Sequence, residues 1–353
     1  MKKFSLGLIL ILIPIILAGC SIGGSDAGKS ASGEPVANPS NTIWTSVDAG
    51  KKWINNSKTT EVSIAGLDVV SMLTNPNDEN NVYVGTLKSG IFVTKNGGEN
   101  WEKLALAPEK VYGLVFDPTD TNTIYASGIT NKRGKIFKSI DAGVNWTMLY
   151  AIASDGPLVS ALAVDKNNPK IIYAAMSDNQ LIKTYDGGNS WQNIFTTKSP
   201  VIKIVFDRGS SDLFYGMSLG GDILRSRDAG KSIEYLKTLN MNNGGADFDA
   251  LEVDPNSNGV LYVGGKNGIH VSRNAGDNWD EIKTLNSPKT YPVRAIAINP
   301  TNSKEIIYGA AQASYRSLDG GNTWEAFQFT VGKNVSIIKY SKNPNRLYLG
   351  FRK

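Results

Sequence analysis

The sequence holds one cysteine, Cys20, and one histidine, His270. A lone thiol excludes an intrachain disulfide and a cysteine-ligated metal centre. Cys-His catalysis has no thiol beyond Cys20, and Ser-His-Asp catalysis would rest on His270, which falls at a packing position (below). Charge of one sign is also scarce. Lys and Arg number 37 against 32 Asp and Glu, a net charge of +5 that drops to +3 without Lys2 and Lys3. That excess is too small and too dispersed for nucleic-acid binding, and no nucleic-acid partner is expected. One long apolar run occurs, Phe4 to Leu17.

What the chain has instead is an internal repeat. Ser139-Ile140-Asp141-Ala142-Gly143-Val144-Asn145-Trp146 is the clearest copy of a frame Ser/Thr-x-Asp/Asn-x-Gly-x-x-Trp. The frame returns at Ser46–Trp53, Thr94–Trp101, Thr184–Trp191, Ser272–Trp279 and Ser317–Trp324, and Ser226–Ile233 keeps all but the Trp. Copies begin every 42 to 48 residues, a spacing typical of blade-forming repeats. Each lies between two strand-like runs and so reads as a hairpin turn. The acidic or amide side chain (Asp48, Asn96, Asp141, Asp186, Asp228, Asn274, Asp319) accepts backbone N–H groups of its own turn. The Gly supplies positive φ, and the Trp covers the turn. Six of the seven Trp residues sit at that position, so these Asp and Asn residues read as structural, not chemical.

The frame is the Asp box, or BNR repeat, and residues 42–353 resemble the propellers that carry it. Among these are bacterial sialidases, xyloglucan-degrading glycosidases, sortilin-type receptors and photosystem II stability/assembly factors. The resemblance implies an all-β, seven-bladed β-propeller of four-stranded antiparallel blades. It does not choose among enzyme, receptor and assembly factor.

The N-terminus is read separately. Lys2 and Lys3, the apolar run and Leu17-Ala18-Gly19-Cys20 resemble a lipoprotein signal peptide with its lipobox. Cleavage before Cys20 and lipid attachment to it are expected, so residues 1–19 are signal peptide. Residues 20–41, rich in Gly, Ser, Ala and Pro, read as a lipid-anchored flexible tether. The expected location is the extracytoplasmic face of a bacterial cell membrane.

Beyond the box, each repeat reads strand A, an Asx/Pro turn, a Tyr-bearing strand B, strand C, the Asp box and strand D. The ends break the pattern. The first box has no A and B strands ahead of it, and the last A and B strands (Val335 to Phe351) have no box behind them. An N-terminal hairpin completing the C-terminal blade would close the ring and remove exposed strand edges.

Candidate chemistry is thin. His270 stands where other repeats carry Trp44, Phe92, Phe137, Ile182, Leu224 and Tyr315, a slot for a large packing side chain. Asp254-Pro255-Asn256-Ser257-Asn258-Gly259 opens like a calcium loop, but Gly265 stands where that loop needs its bidentate Glu. The segment is also an A–B turn, and no metal or cofactor is expected. Glycoside hydrolysis needs two carboxylates across the scissile bond. Asp68, Asp178, Asp222, Asp247 and Asp249 belong near the channel mouth opposite the boxes, yet nothing in sequence pairs them. The sialidase Phe/Tyr-Arg-Ile-Pro motif is absent, since Tyr315-Arg316-Ser317-Leu318 runs into a box. The xyloglucan enzymes join two propellers at a cleft, where this chain has one.

Repetition fails at the start of strand A, and the same mouth gathers basic loops. Tyr112, Lys132, Arg133, Asp249, Arg294 and Arg352 are the expected ligand-binding residues, and the connection Asn240–Asp247 feeds their face. The reading is a monomeric propeller head on a lipid tether that binds a protein or polysaccharide partner in the cell envelope and leans away from catalysis. The alternative is a membrane-anchored glycoside hydrolase of the sialidase or xyloglucanase type.

Overall fold

The computed structural model describes residues 41–57, 62–105, 108–152, 156–236 and 247–353. The expected signal peptide, the expected tether with Cys20 apart from its last residue Asn41, and all of the Asn240–Asp247 connection but its last residue lie outside the described residues. Twenty-eight strands, β1 to β28, form seven four-stranded antiparallel sheets, with no helix among the described residues. The seven inner strands are β3 (Val69–Thr74), β7 (Lys110–Asp117), β11 (Val159–Val164), β15 (Val201–Phe206), β19 (Phe248–Val253), β23 (Val293–Asn299) and β27 (Asn334–Tyr340). Each touches the next around a closed ring. The chain is a seven-bladed propeller, as its repeat predicts.

The ring closes as the broken ends require. Strands β1 (Ile43–Ser46) and β2 (Ile54–Asn55) complete the sheet of β27 and β28 (Leu347–Arg352) in the order β2-β1-β28-β27. Ile43 faces Gly350 and Ser46 faces Leu347, joining the two ends of the chain in one register. A lysine then bolts the seam. Lys333, 4 % exposed, lies just ahead of β27 and donates to the Gly66 and Leu67 carbonyls at 2.6 and 2.9 Å and to Asp68 at 3.0 Å, just ahead of β3.

The boxes are built as turn hardware. In every copy the Ser or Thr Oγ accepts the Gly N–H at 2.8–3.0 Å and donates to the Asp or Asn side chain, which accepts an N–H further round the turn. The residue before the Gly is left-handed as well, and in four boxes it is an alanine at φ 57–60° (Ala49, Ala142, Ala229, Ala275). That conformation is costly for a residue with a Cβ. It is held because this residue's N–H donates to a carbonyl of the same blade's A–B hairpin, as Ala275 does to Gly259 at 2.7 Å. Boxes and A–B turns therefore share one end of the ring.

Blade-to-blade packing sets the rest of the pattern. The first buried residue of each inner strand (Val69, Val111, Val159, Val201, Phe248, Val293, Val335) wedges between sheets, and all seven are at most 3 % exposed. A β-bulge follows it in every blade. Strand B opposite keeps its side chains small where the neighbour's wedge arrives. A Cβ on Gly309 would sit 2.3 Å from the Val335 Cγ1 atom.

Candidate functional site

Inner strands present their unburied residues to the axial channel, and the channel has two unlike ends. At the end opposite the boxes lie the residues expected from sequence. Tyr112, Asp249 and Arg294 are early in β7, β19 and β23, with Tyr112 and Arg294 half-buried and Asp249 exposed. Lys132 and Arg133 occupy the exposed turn between β8 (Asp120–Thr130) and β9 (Arg133–Ser139), where Asn131 and Lys132 are both left-handed. Arg352 is exposed at the end of β28. Topology carries these six to one face, but no hydrogen bond or ion pair joins any two of them. The acidic residues there are largely spoken for. Asp68 pairs with Lys333, Asp247 pairs with Lys266 at 3.2 Å, and Asp178 accepts from the Gln180 amide at 3.0 Å.

The other end holds a cluster that sequence reasoning missed. Two residues before the A–B turn, the inner strands carry Leu73, Val115, Ala163, Val205, Glu252, Ala297 and Lys339. This ring is apolar except for Glu252 and Lys339, which flank the small Ala297 of the intervening blade. Lys339 spans that gap to reach Glu252 Oε1 at 2.5 Å, and Lys203 from β15 reaches Oε2 at 2.8 Å. Three blades thus meet through one carboxylate. The side chains are 30 %, 34 % and 16 % exposed for Lys339, Lys203 and Glu252, so the cluster is screened from bulk water but still reachable. Beside it opens a cavity of about 200 Å³, walled by Val253, Pro255, Ala297, Ile298, Pro300 and Tyr340 together with Glu252 and Lys339.

The electrostatics are one-sided. Burial by itself would raise the Glu252 carboxyl, but the two ammonium groups outweigh it and hold its pKa down to about 2. Burial pushes the Lys203 ammonium below its usual value against the pull of Glu252. The cluster sets two lysines against one carboxylate. A general acid for glycoside cleavage needs a carboxyl that keeps its proton near neutrality, and Glu252 is tuned the opposite way.

The remaining sequence candidates are structural. His270 is 2 % exposed, its Nε2 lies 3.1 Å from the Asn267 carbonyl, and its ring meets Phe248 edge-on at 6.1 Å. Burial lowers its pKa, disfavouring the charged ring. Asp254 holds a turn. It accepts the Asn256 N–H at 2.8 Å and the Ser303 hydroxyl of the next blade at 3.0 Å. Asp165 with Ser211, at 2.6 Å, and Asp207 with the Gly259 N–H, at 2.6 Å, make the same blade-to-blade link. The only sequence signal for the channel cluster is a break of repetition inside an otherwise apolar ring.

Comparison with known proteins places this geometry among propellers of mixed role. The family model described as Sortilin-Vps10 (Sortilin, neurotensin receptor 3) matches residues 41–155. A xyloglucanase from Paenibacillus sp is 25 % identical over 228 residues, covering 60 % of this chain and 21 % of the relative. An oligoxyloglucan-reducing end-specific xyloglucanase from Emericella nidulans is 23 % identical over 323 residues, covering 82 % and 37 %. The chain thus spans between about a fifth and two-fifths of the length of these relatives. Among solved structures, the Niastella koreensis GH74 enzyme superposes with TM-score 0.65 at 19 % identity, covering 80 % of this chain and 51 % of that one. YCF48 from Cyanidioschyzon merolae gives 0.61 at 15 % identity, covering 80 % and 95 %, and YCF48 bound to D1 peptide gives 0.61 at 16 %, covering 81 % and 93 %. At these identities the structural likeness is one of fold.

Proposed function

We propose that the chain is an exported, lipid-anchored scaffold of the bacterial cell envelope whose propeller binds a protein or glycan partner without catalysis. One observation carries the reading. The most enclosed channel carboxylate, Glu252, is committed to two lysines and held ionised, so it is unsuited to protonate a leaving group. What remains in the channel is a charged, partly apolar recess suited to holding a ligand. The likeness to YCF48 bound to D1 peptide supports a peptide-binding role for a propeller of this size. Anchoring through Cys20 rests on the lipobox and puts the head on the extracytoplasmic face.

The second reading is a glycoside hydrolase, favoured by the xyloglucanase matches. Reducing-end release from xyloglucan and its oligosaccharides by the purified full chain separates the two. The scaffold reading expects release no greater from wild type than from Asp249→Asn and Glu252→Gln variants. Turnover that either substitution abolishes overturns it. Incorporation of labelled palmitate, lost in Cys20→Ala, tests the anchor.

A further inference from the structure

We propose that the Asp-box end of the channel is a receptor for the carboxylate of a peptide segment, with Lys339 and Lys203 as its cationic contacts and the cavity beside Ala297 as its seat. The proposal deepens the reading of the propeller as a binding module and rests on it. Three observations lead there. First, an ammonium has three donors, and Lys203 and Lys339 each spend one on Glu252. Donors are therefore left over on both lysines, Lys339 lines the recess itself, and Lys203 adjoins it through Glu252, the one carboxylate the two share. Second, the recess opens where the small Ala297 stands between Glu252 and Lys339, in a ring whose other blades carry Leu73, Val115, Ala163 and Val205. Third, the walls are chemically narrow. Val253, Ile298, Pro255 and Pro300 are aliphatic, Tyr340 is the one aromatic lining residue, and Ser341 is the one uncharged polar residue besides it. Sugar rings seek broad aromatic platforms, whereas an acidic residue flanked by aliphatic ones matches both the charge and the walls.

Glu252 acts in this scheme as a resident stand-in. It holds the two ammonium groups apart and charged until a ligand carboxylate shares them. Charge-assisted hydrogen bonds from two lysines in a partly dehydrated recess discriminate strongly between an acid and its amide. The carboxylate has two peptide sources, a Glu or Asp side chain and a free C-terminus, and the test separates them.

The test is isothermal titration of the purified full chain with three probes: acetyl-Val-Glu-Val-amide, acetyl-Val-Gln-Val-amide, and acetyl-Val-Val-Val ending in a free carboxylate. At least one acid-bearing probe is expected to bind about tenfold or more tighter than the glutamine peptide, and which one does so identifies the source. Lys339→Met is expected to weaken that probe by about fivefold or more, with Lys339→Arg restoring it, and Lys203→Met to act likewise. Glu252→Gln is expected to tighten it severalfold, because the resident competitor loses its charge; a purely structural cluster predicts no gain. Equal binding of glutamine and glutamate probes, or an affinity unmoved in folded Lys339→Met and Lys203→Met proteins, overturns the proposal. So does glucuronate binding as tightly as the best peptide, which would assign the recess to sugar acids. Failure here leaves the scaffold reading standing, whereas xyloglucan turnover would remove that reading and leave peptide binding at the recess to be judged by the titration.

Discussion

The two ends of the channel are made from the same seven repeats and differ in how their charges are spent. At the end away from the boxes, charged residues sit at strand starts and ends and on loops, no ion pair joins any two of Lys132, Arg133, Asp249, Arg294 and Arg352, and Asp247 is neutralised locally by Lys266. At the Asp-box end, box-to-turn bonds in every blade and turn-to-turn bonds across several hold the frame. There Lys203, Glu252 and Lys339 converge from three blades on one point. Further along the inner strands, Lys203, Glu252 and Lys339 are aimed at one another, whereas Asp249 and Arg294 at the strand starts and Lys132 on its turn share no ion pair. Focused charge therefore belongs to the end that looked purely structural.

The sharpest way to break this contrast is to loosen the rigid end. Trp101 is fully buried in its box, and its indole donates to the Asn56 carbonyl of the neighbouring blade at 3.0 Å. Trp101→Ala is expected to cost about 4 kcal/mol of unfolding free energy, read as a shift of the denaturant midpoint. Trp324, which is only partly buried, is expected to cost less than half of that when truncated. Next comes the one rigid device at the opposite end. Lys333→Ala strips three acceptors of a buried cation, leaving Asp68 with the Lys353 N–H alone, and about 3 kcal/mol of destabilisation is expected. An effect under 1 kcal/mol would show that the seam does not depend on this bolt and that the opposite end is loose throughout.

The fold was legible because its signals repeat. Seven boxes fix the period, the Tyr column marks strand B, and the unmatched ends predict the closure seen between β1 and β28. The left-handed alanines were not legible, since Ala49 and its counterparts carry no conformational signature in their identity; a neighbouring carbonyl holds them there. The site was half legible. Breakdown of repetition at the strand starts marks Tyr112, Asp249 and Arg294. The same signal two residues before the A–B turn picks out Glu252 and Lys339, but their pairing depends on Ala297 of a third blade being small. Contact across a channel between strands 87 residues apart has no local trace.

A smaller effect tests the focused charge directly. Because the folded pKa of Glu252 lies near 2, below its ordinary value of 4.5, the folded state binds fewer protons than the unfolded chain between these limits. The contribution is fully present above about pH 4.5 and is lost as pH falls towards 2. With the lysines about a third exposed, it is expected to amount to about 2 kcal/mol. Unfolding free energies of wild type and Glu252→Gln, measured from pH 7 to pH 2, should converge through that window. Parallel curves would mean that the carboxylate gains nothing from its two partners.

The smallest expected change in stability belongs to the scattered rim. Changing Lys132, Arg133, Arg294 and Arg352 together to Glu alters four side chains of which three are exposed, and none forms an ion pair. Unfolding free energy should move by no more than about 1 kcal/mol. Its value lies in what it does to binding. If a partner captured from envelope extract by the full chain is retained by this variant and released by Lys339→Met, the Asp-box end is the binding end. Loss from the rim variant alone reverses the contrast, making the dispersed charges the recognition surface and the aimed cluster a strut across the channel.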